Sequence, residues 1–242
     1  MRIAMLTGEY PPAEGGVGAF THQLGLALGA EHHEVHILTS GNGGTSSEEG
    51  LIVHREVERW NLHGLVKARR HLRRIAPDIT NLQYEPAAYG MRGAITLAAE
   101  ILMAGSRCPL VVTYHDLLPP YLFPKAGPLR QRSVWHLARN ADGAIATNRE
   151  DSLVLGEELA RSKVPVRLIP IGSNISAAPP LDFDRDQWRA ARGYAPSDLV
   201  VGFFGFLNRT KGIETLLDAV SRLGLGGLPV QSRPARRRVM QA

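Results

Sequence analysis

One cysteine, Cys108, stands in 242 residues, so the chain has no internal disulfide and requires no oxidising compartment. Beside Pro109, at the head of an apolar run, that thiol reads as a buried one. No apolar run reaches the length of a membrane span. Residues 3–6 stop at Thr7, and residues 94–104 are broken by Glu100. Cytoplasmic location is the expectation that follows. GxGxxG and P-loop spacings are both missing, which argues against a nicotinamide cofactor and a Walker-type nucleotide site. The histidines show no metal-ligand spacing with the lone cysteine, so no metal is implied. Positive charge is also thin. The net charge of +5 falls to +1 without Arg233, Arg236, Arg237 and Arg238, which share one acid-free tail, and nucleic-acid binding gains no support.

What is there is a globular composition, 44% hydrophobic and 21% charged, sufficient for a packed core. Short apolar runs at 3–6, 35–38, 51–54, 79–84, 110–114, 144–147 and 166–171 read as strands. Between them, segments of helical spacing fall near 20–28, 65–76, 94–103, 129–139 and 151–161. In the first, Phe20, Leu24, Ala27 and Leu28 form the stripe, and Gly25 and Gly29 permit close approach to a sheet. Strands separated by helices predict right-handed crossovers. The expectation is an α/β, doubly wound Rossmann-like parallel sheet over residues 1–174. Residues 175–197, opened by Ala177-Ala178-Pro179-Pro180, read as a connector. Residues 198–223 supply one strand, at 199–205, and one helix of an incomplete second Rossmann domain. Residues 224–242 have the composition of a disordered tail.

In an open parallel sheet, ligands gather beyond the carboxyl ends of the strands. Three such places carry chemistry. The loop from Thr7 to Gly18 leads into a helix, and Gly15 and Gly16 would let a phosphate approach the free amides of its start. A turn required only by geometry is the competing reading. After the 110–114 strand come His115 and Asp116. The histidine can donate to a phosphate or sugar hydroxyl and the aspartate can orient it or touch substrate, although a histidine taken alone is more often structural. The third place is Gly205 to Gly212, where Arg209 and Lys211 could clamp a diphosphate or be two solvated cations. Gln83-Tyr84-Glu85-Pro86 closes a further strand and could line the same cleft.

Taken together, Gly8-Glu9-Tyr10-Pro11-Pro12, Gly15-Gly16-Val17-Gly18, Tyr114-His115-Asp116 and Gly205-Phe206-Leu207-Asn208-Arg209-Thr210-Lys211-Gly212 resemble family-4 glycosyltransferases of the GT-B fold, from residue 1 to about 223. The resemblance implies transfer of a sugar from a nucleotide-diphosphate sugar to a sugar or lipid-linked acceptor, with retention, no metal, and no cofactor beyond the donor substrate. It places Gly15 and Gly16 near the donor diphosphate together with Arg209 and Lys211. His115 lies near the transferred sugar, Lys211 beside the leaving phosphate, and Glu9, Tyr10, Tyr84, Glu85 and Asp116 along the acceptor side. Phe206 departs from the arginine that many relatives carry there. Relatives also continue through the rest of a second Rossmann domain, which gives this chain the look of a truncation. A non-catalytic acceptor-binding or membrane-surface module, or a degenerate fragment, is the alternative.

One helix has a basic face. Leu65, Ala68, Leu72 and Ile75 make its apolar stripe, and five cations lie within 67–74 with no acid among them. Lys67, Arg70 and Arg74 could rest on the anionic inner face of a membrane, or form an ordinary solvated face.

Overall fold

The computed structural model describes residues 1–122, 125–173, 182–203 and 212–222. The chain divides into two compact units, Met1–Ser176 and Ala177–Ala242. In the first, eight strands of the described residues form one sheet in the order β3-β4-β2-β1-β5-β6-β7-β8. These are β1 (Arg2–Leu6), β2 (Glu34–Ser40), β3 (Gly44–Glu48), β4 (Leu51–Val57), β5 (Ile79–Tyr84), β6 (Leu110–Tyr114), β7 (Gly143–Ala146) and β8 (Val166–Leu168). All pairs are parallel except β3 with β4. The α/β alternation in the sequence therefore yields the Rossmann-like sheet it predicts.

Strand β3 is the element that apolar patterning misses. Gly44-Thr45-Ser46-Ser47-Glu48 has no buried face, so its place is set by hydrogen bonding. Glu49 and Gly50, both with positive φ, close a two-residue turn that leads straight back along β4. The run at 166–171 is also shorter than expected, because the ladder with β7 ends at Leu168.

Helix α1 (Gly16–Ala30) covers one face of the sheet. The other face carries α2 (Leu62–Ile75), a 3-10 turn (Gly93–Leu97), α3 (Ala98–Met103), α4 (Pro128–Asn140) and α5 (Arg149–Leu159). The larger core joins Ala4, Leu6, Leu38, Leu82, Tyr84, Val112 and Tyr114 of the sheet to Leu65, Ala68 and Leu72 of α2 and to Val134 and Leu137 of α4. The smaller core lies under α1 and contains Ile3, Met5, Val35, Ile37, Leu51 and Val53. The innermost positions of α1 are Val17, Gly18, Thr21 and Gly25, rather than Phe20 and Ala27. Small residues win that face because the helix runs close to the strands: a Cβ on Gly25 would stand 3.2 Å from Leu51. Cys108 is half-buried and lies 3.3 Å from Thr80 Oγ1.

Helix ends follow local chemistry. Asn61 accepts from the Gly64 amide at the start of α2, and the Arg2 guanidinium donates to the Ile75 carbonyl at its end. Asn148 accepts from Asp151 N at the start of α5. In the second unit, Asp184 caps α6 (Arg185–Ala190), and α7 spans Ile213–Arg222. Residues 199–203, expected to begin a strand, are in none: no described segment pairs with them, and a strand needs a ladder partner. The expected disordered tail at 224–242 lies outside the described residues.

Between the sheet and α2, His36 and His54 stack 5.2 Å apart and share a hydrogen bond of 2.9 Å from Nδ1 to Nε2. Glu34 holds the outer nitrogen of His36, and Thr45 the other nitrogen of His54. Burial, reinforced by His36 and His71, holds His54 down to about 4. The unfolded imidazole, near 6.5, takes up its proton first as pH falls. Stability is therefore expected to decline as pH drops from about 6.5 to about 4, by at most ~1.4 kcal/mol per pH unit for this group. Urea midpoints measured across that window should show a shallower slope in His54→Gln than in the parent chain.

Candidate functional site

The carboxyl ends of β1 and β5 are tied together by one buried side chain. The Tyr89 hydroxyl lies 2.9 Å from the Gln83 carbonyl and 3.2 Å from the Leu6 carbonyl. Gly8 sits so close to the 88–89 backbone that a Cβ would stand 2.2 Å from the Ala88 carbonyl oxygen, so only glycine fits. The chain then turns through Glu9 to Pro12 and enters α1.

Helix α1 has no acidic residue in its first turn and no capping side chain at Gly15. Glu9 takes over that task from upstream. Its Oε1 accepts from Val17 N at 3.1 Å and Gly18 N at 3.3 Å, two of the donors that a helix start leaves open. This separates the two glycines paired in the sequence. A Cβ on Gly15 would stand 2.1 Å from the Glu9 carboxylate, so Gly15 makes room for a side chain of the protein itself. Around Gly16 nothing lies within 4 Å of a Cβ position, and its backbone is open to approach.

His115 follows β6 and reaches the same region. The edge of the Phe20 ring, one turn into α1, meets its imidazole at 4.9 Å between centroids. His115 Nε2 lies 2.9 Å from Gln83 Oε1. Burial alone brings the ring down to about 4, so it is neutral at physiological pH. Asp116 does not orient it: Oδ1 of Asp116 accepts from the Leu118 amide at 3.1 Å, and burial raises that carboxyl above its usual range. The orienting side chain is Gln83, fully buried on β5. Its signal in the sequence was the position directly before Tyr84, two residues from Asn81 on one face of the strand.

Two residues expected along the acceptor side belong to the core. Tyr10 is 4% exposed, with the Arg55 guanidinium 5.8 Å from its ring centre, and burial followed by Glu48 pushes its hydroxyl up to about 12. Tyr84 is fully buried against Tyr114, and its hydroxyl donates to the Leu118 carbonyl. Strand alternation decides the second case: Tyr84 shares its face with Leu82 and turns toward the larger core. Glu85, the next residue, is half-buried at the strand end. Arg209 and Lys211 lie outside the described residues.

Glu9, the open backbone of Gly16 and the His115 imidazole thus gather at the start of α1. A family model described as Glycosyltransferase Family 4 matches residues 14–177, about two thirds of the sequence. The chain belongs to that family. Among solved structures, Anabaena HepE in complex with UDP-glucose superposes with a TM-score of 0.59 at 18% identity, over 92% of this chain and 57% of that one. HepE in complex with UDP and glucose gives 0.60 at 19%, covering 92% and 58%. A glycosyltransferase from Rickettsia africae gives 0.60 at 15%, covering 92% and 57%. At these identities the likeness concerns the fold, and this family-4 chain spans less than three fifths of each neighbour's length. No curated protein matches the chain.

The Glu9 cap and Gly15 form a coupled pair. Glu9→Ala is expected to cost about 1 kcal/mol, the worth of a helix cap. Gly15→Ala should cost a similar amount by evicting the carboxylate, yet add little in the Glu9→Ala background. Chemical denaturation of the four species gives the coupling, and fully additive costs would refute the steric account.

Proposed function

We propose that this family-4 chain binds a nucleoside-diphosphate sugar and its acceptor at the carboxyl end of the sheet. The reaction is transfer of the sugar to a sugar or lipid-linked acceptor, with retention, and without a metal or a further cofactor. The observation that carries this reading is the pair of amides at Val17 and Gly18 directed at a single anionic oxygen of Glu9. A place that holds a carboxylate in this way suits a phosphate once Glu9 turns aside, and the open backbone of Gly16 adjoins it.

Breaking a sugar–phosphate bond builds negative charge on the departing diphosphate. Preorganised amides stabilise that charge at no cost in reorganisation, and no protein nucleophile is required for it. His115, neutral and half-buried against Phe20, is assigned to the transferred sugar. Arg209 and Lys211 are assigned to the diphosphate through the family resemblance alone. Glu85 and Asp116 remain with the acceptor, whereas Tyr10 and Tyr84 support the site from the core.

Calorimetry with UDP and GDP tests the phosphate site. Glu9→Gln removes a competing charge and should tighten binding about 2- to 5-fold, the worth of one anion at a helix start. Gly16→Val and Lys211→Ala should each weaken it. Binding unchanged in all three variants would remove the assignment. Transfer assays over a wide donor panel address catalysis, and an inert chain that still binds nucleotide would favour a non-catalytic module.

A membrane contact is a second element of the proposal, supported by how α2 divides its cations. Arg69, half-buried, and Arg73, exposed, both donate to the Ala104 carbonyl, while Arg70 and Arg74 are exposed without such a tether and Lys67 is half-buried. Leu62 and Val66 are exposed on the same helix. Among the described residues no helix is long and apolar enough to cross a membrane, so this contact is peripheral. The triple variant Lys67→Glu, Arg70→Glu, Arg74→Glu should lose co-sedimentation with phosphatidylglycerol vesicles. Equal binding by parent and variant would exclude this face.

A further inference from the structure

On the α1 side of the sheet, β5 and β6 carry a line of polar side chains. Asn81 pairs in register with Val111, and Gln83 with Thr113, so Asn81, Gln83, Thr113 and His115 share one face. The chemistry of each contact dictates the next. Asn81 Nδ2 lies 3.2 Å from the Val111 carbonyl oxygen and 3.0 Å from Thr113 Oγ1. A carbonyl only accepts, so the amide nitrogen of Asn81 must be the end that faces β6. Its Oδ1 is left to accept from Gln83 Nε2. That contact turns Gln83 Oε1 toward His115 Nε2 at 2.9 Å. An amide oxygen cannot donate, so Nε2 carries the proton.

We propose that the Val111 carbonyl, acting through Asn81 and Gln83, locks His115 as the Nε2–H tautomer, so that Nδ1 is a lone-pair acceptor for a hydroxyl of a bound sugar. Gln83 is the positioning residue. The tautomer stands on the relay alone, and only the sugar clause rests on the proposed function. Nδ1 has no partner among the described residues and is absent from their sealed, unpartnered nitrogens. Gln83 is wholly buried, so water does not compete for its amide. Among the described residues burial alone lowers the imidazole's pKa, so the ring keeps one proton at neutral pH. The expectation that His115 donates to a phosphate is thereby replaced. Its only proton is committed to Gln83, and it discriminates by accepting. A sugar lacking the matching hydroxyl should bind roughly 10-fold more weakly, the worth of one hydrogen bond.

Long-range proton–nitrogen correlation spectra of the full chain with labelled histidine read the tautomer directly. In the parent, His115 Nε2 should show the shift of a protonated, pyrrole-like nitrogen and Nδ1 that of a bare, pyridine-like one. In Gln83→Leu the two should move toward a common average. In Gln83→Glu, which keeps the shape and adds a charge, the ring's titration midpoint should rise by about a unit or more, as expected beside a carboxylate. That second variant reads the relay even if the leucine variant fails to fold. A proton on Nδ1 in the parent, or unchanged spectra in both variants, overturns the relay. Addition of UDP-glucose should then shift Nδ1 more than Nε2. If UDP binds by calorimetry and UDP-glucose leaves Nδ1 unmoved, the sugar assignment of His115 falls while the proposed function stands. If neither ligand binds, the proposed function itself falls and the tautomer result survives it.

Discussion

A single carboxylate oxygen governs the working end of this domain. Oε1 of Glu9 satisfies two amides at the start of α1, and to reach them it occupies the space that a Gly15 side chain would need. The entry angle of the helix, the identity of Gly15 and the exposure of Gly16 all follow from that placement. Glu9 can stand there because Gly8 lies flush against the 88–89 backbone, which sets where the chain leaves β1. The loop is a cap whose capping residue lies well upstream in sequence. It exchanges the local hydrogen bond of an ordinary N-cap for one that, in the proposed function, an incoming anion would replace.

Beside this helix start lies a polar line of the opposite character. Asn81, Gln83 and His115 are oriented by a backbone carbonyl, and nothing in the line needs to move. Buried polar networks are costly when half satisfied and confer rigidity when complete. Here each amide nitrogen and oxygen beneath the surface has at least one partner, and among the described residues the imidazole Nδ1 has none. In the function proposed above, the site would combine an exchangeable contact for charge with a fixed contact for a hydroxyl group.

Much of this was legible in the sequence and some of it was not. Parallel strands announced themselves as short apolar runs, and the Gly-rich turn and His115 were found from their places after strands. The polar hairpin β3 escaped because Thr45, Ser46 and Ser47 bury nothing, and its pairing is written in the backbone. Tyr10 and Tyr84 were misplaced because a motif position does not state which face of the sheet a side chain takes. Strand alternation puts Tyr84 with Leu82 in the core, and the turn folds Tyr10 beneath α1. Gln83 stood out only as part of the run Gln83-Tyr84-Glu85-Pro86 and received no role of its own, because an amide is ordinary in composition. Its importance comes from Val111 on the adjacent strand, a relation that exists only after pairing.

The edges of the sheet have one further consequence. On one side the sheet ends in β3, five residues of glycine, serine, threonine and glutamate, and on the other in β8, three residues long. Parallel apolar strands left uncovered at an edge would invite a neighbouring molecule to extend the ladder. A short polar ribbon at one margin and a stub at the other offer little for such recruitment, so the domain carries its own barrier to edge-to-edge aggregation.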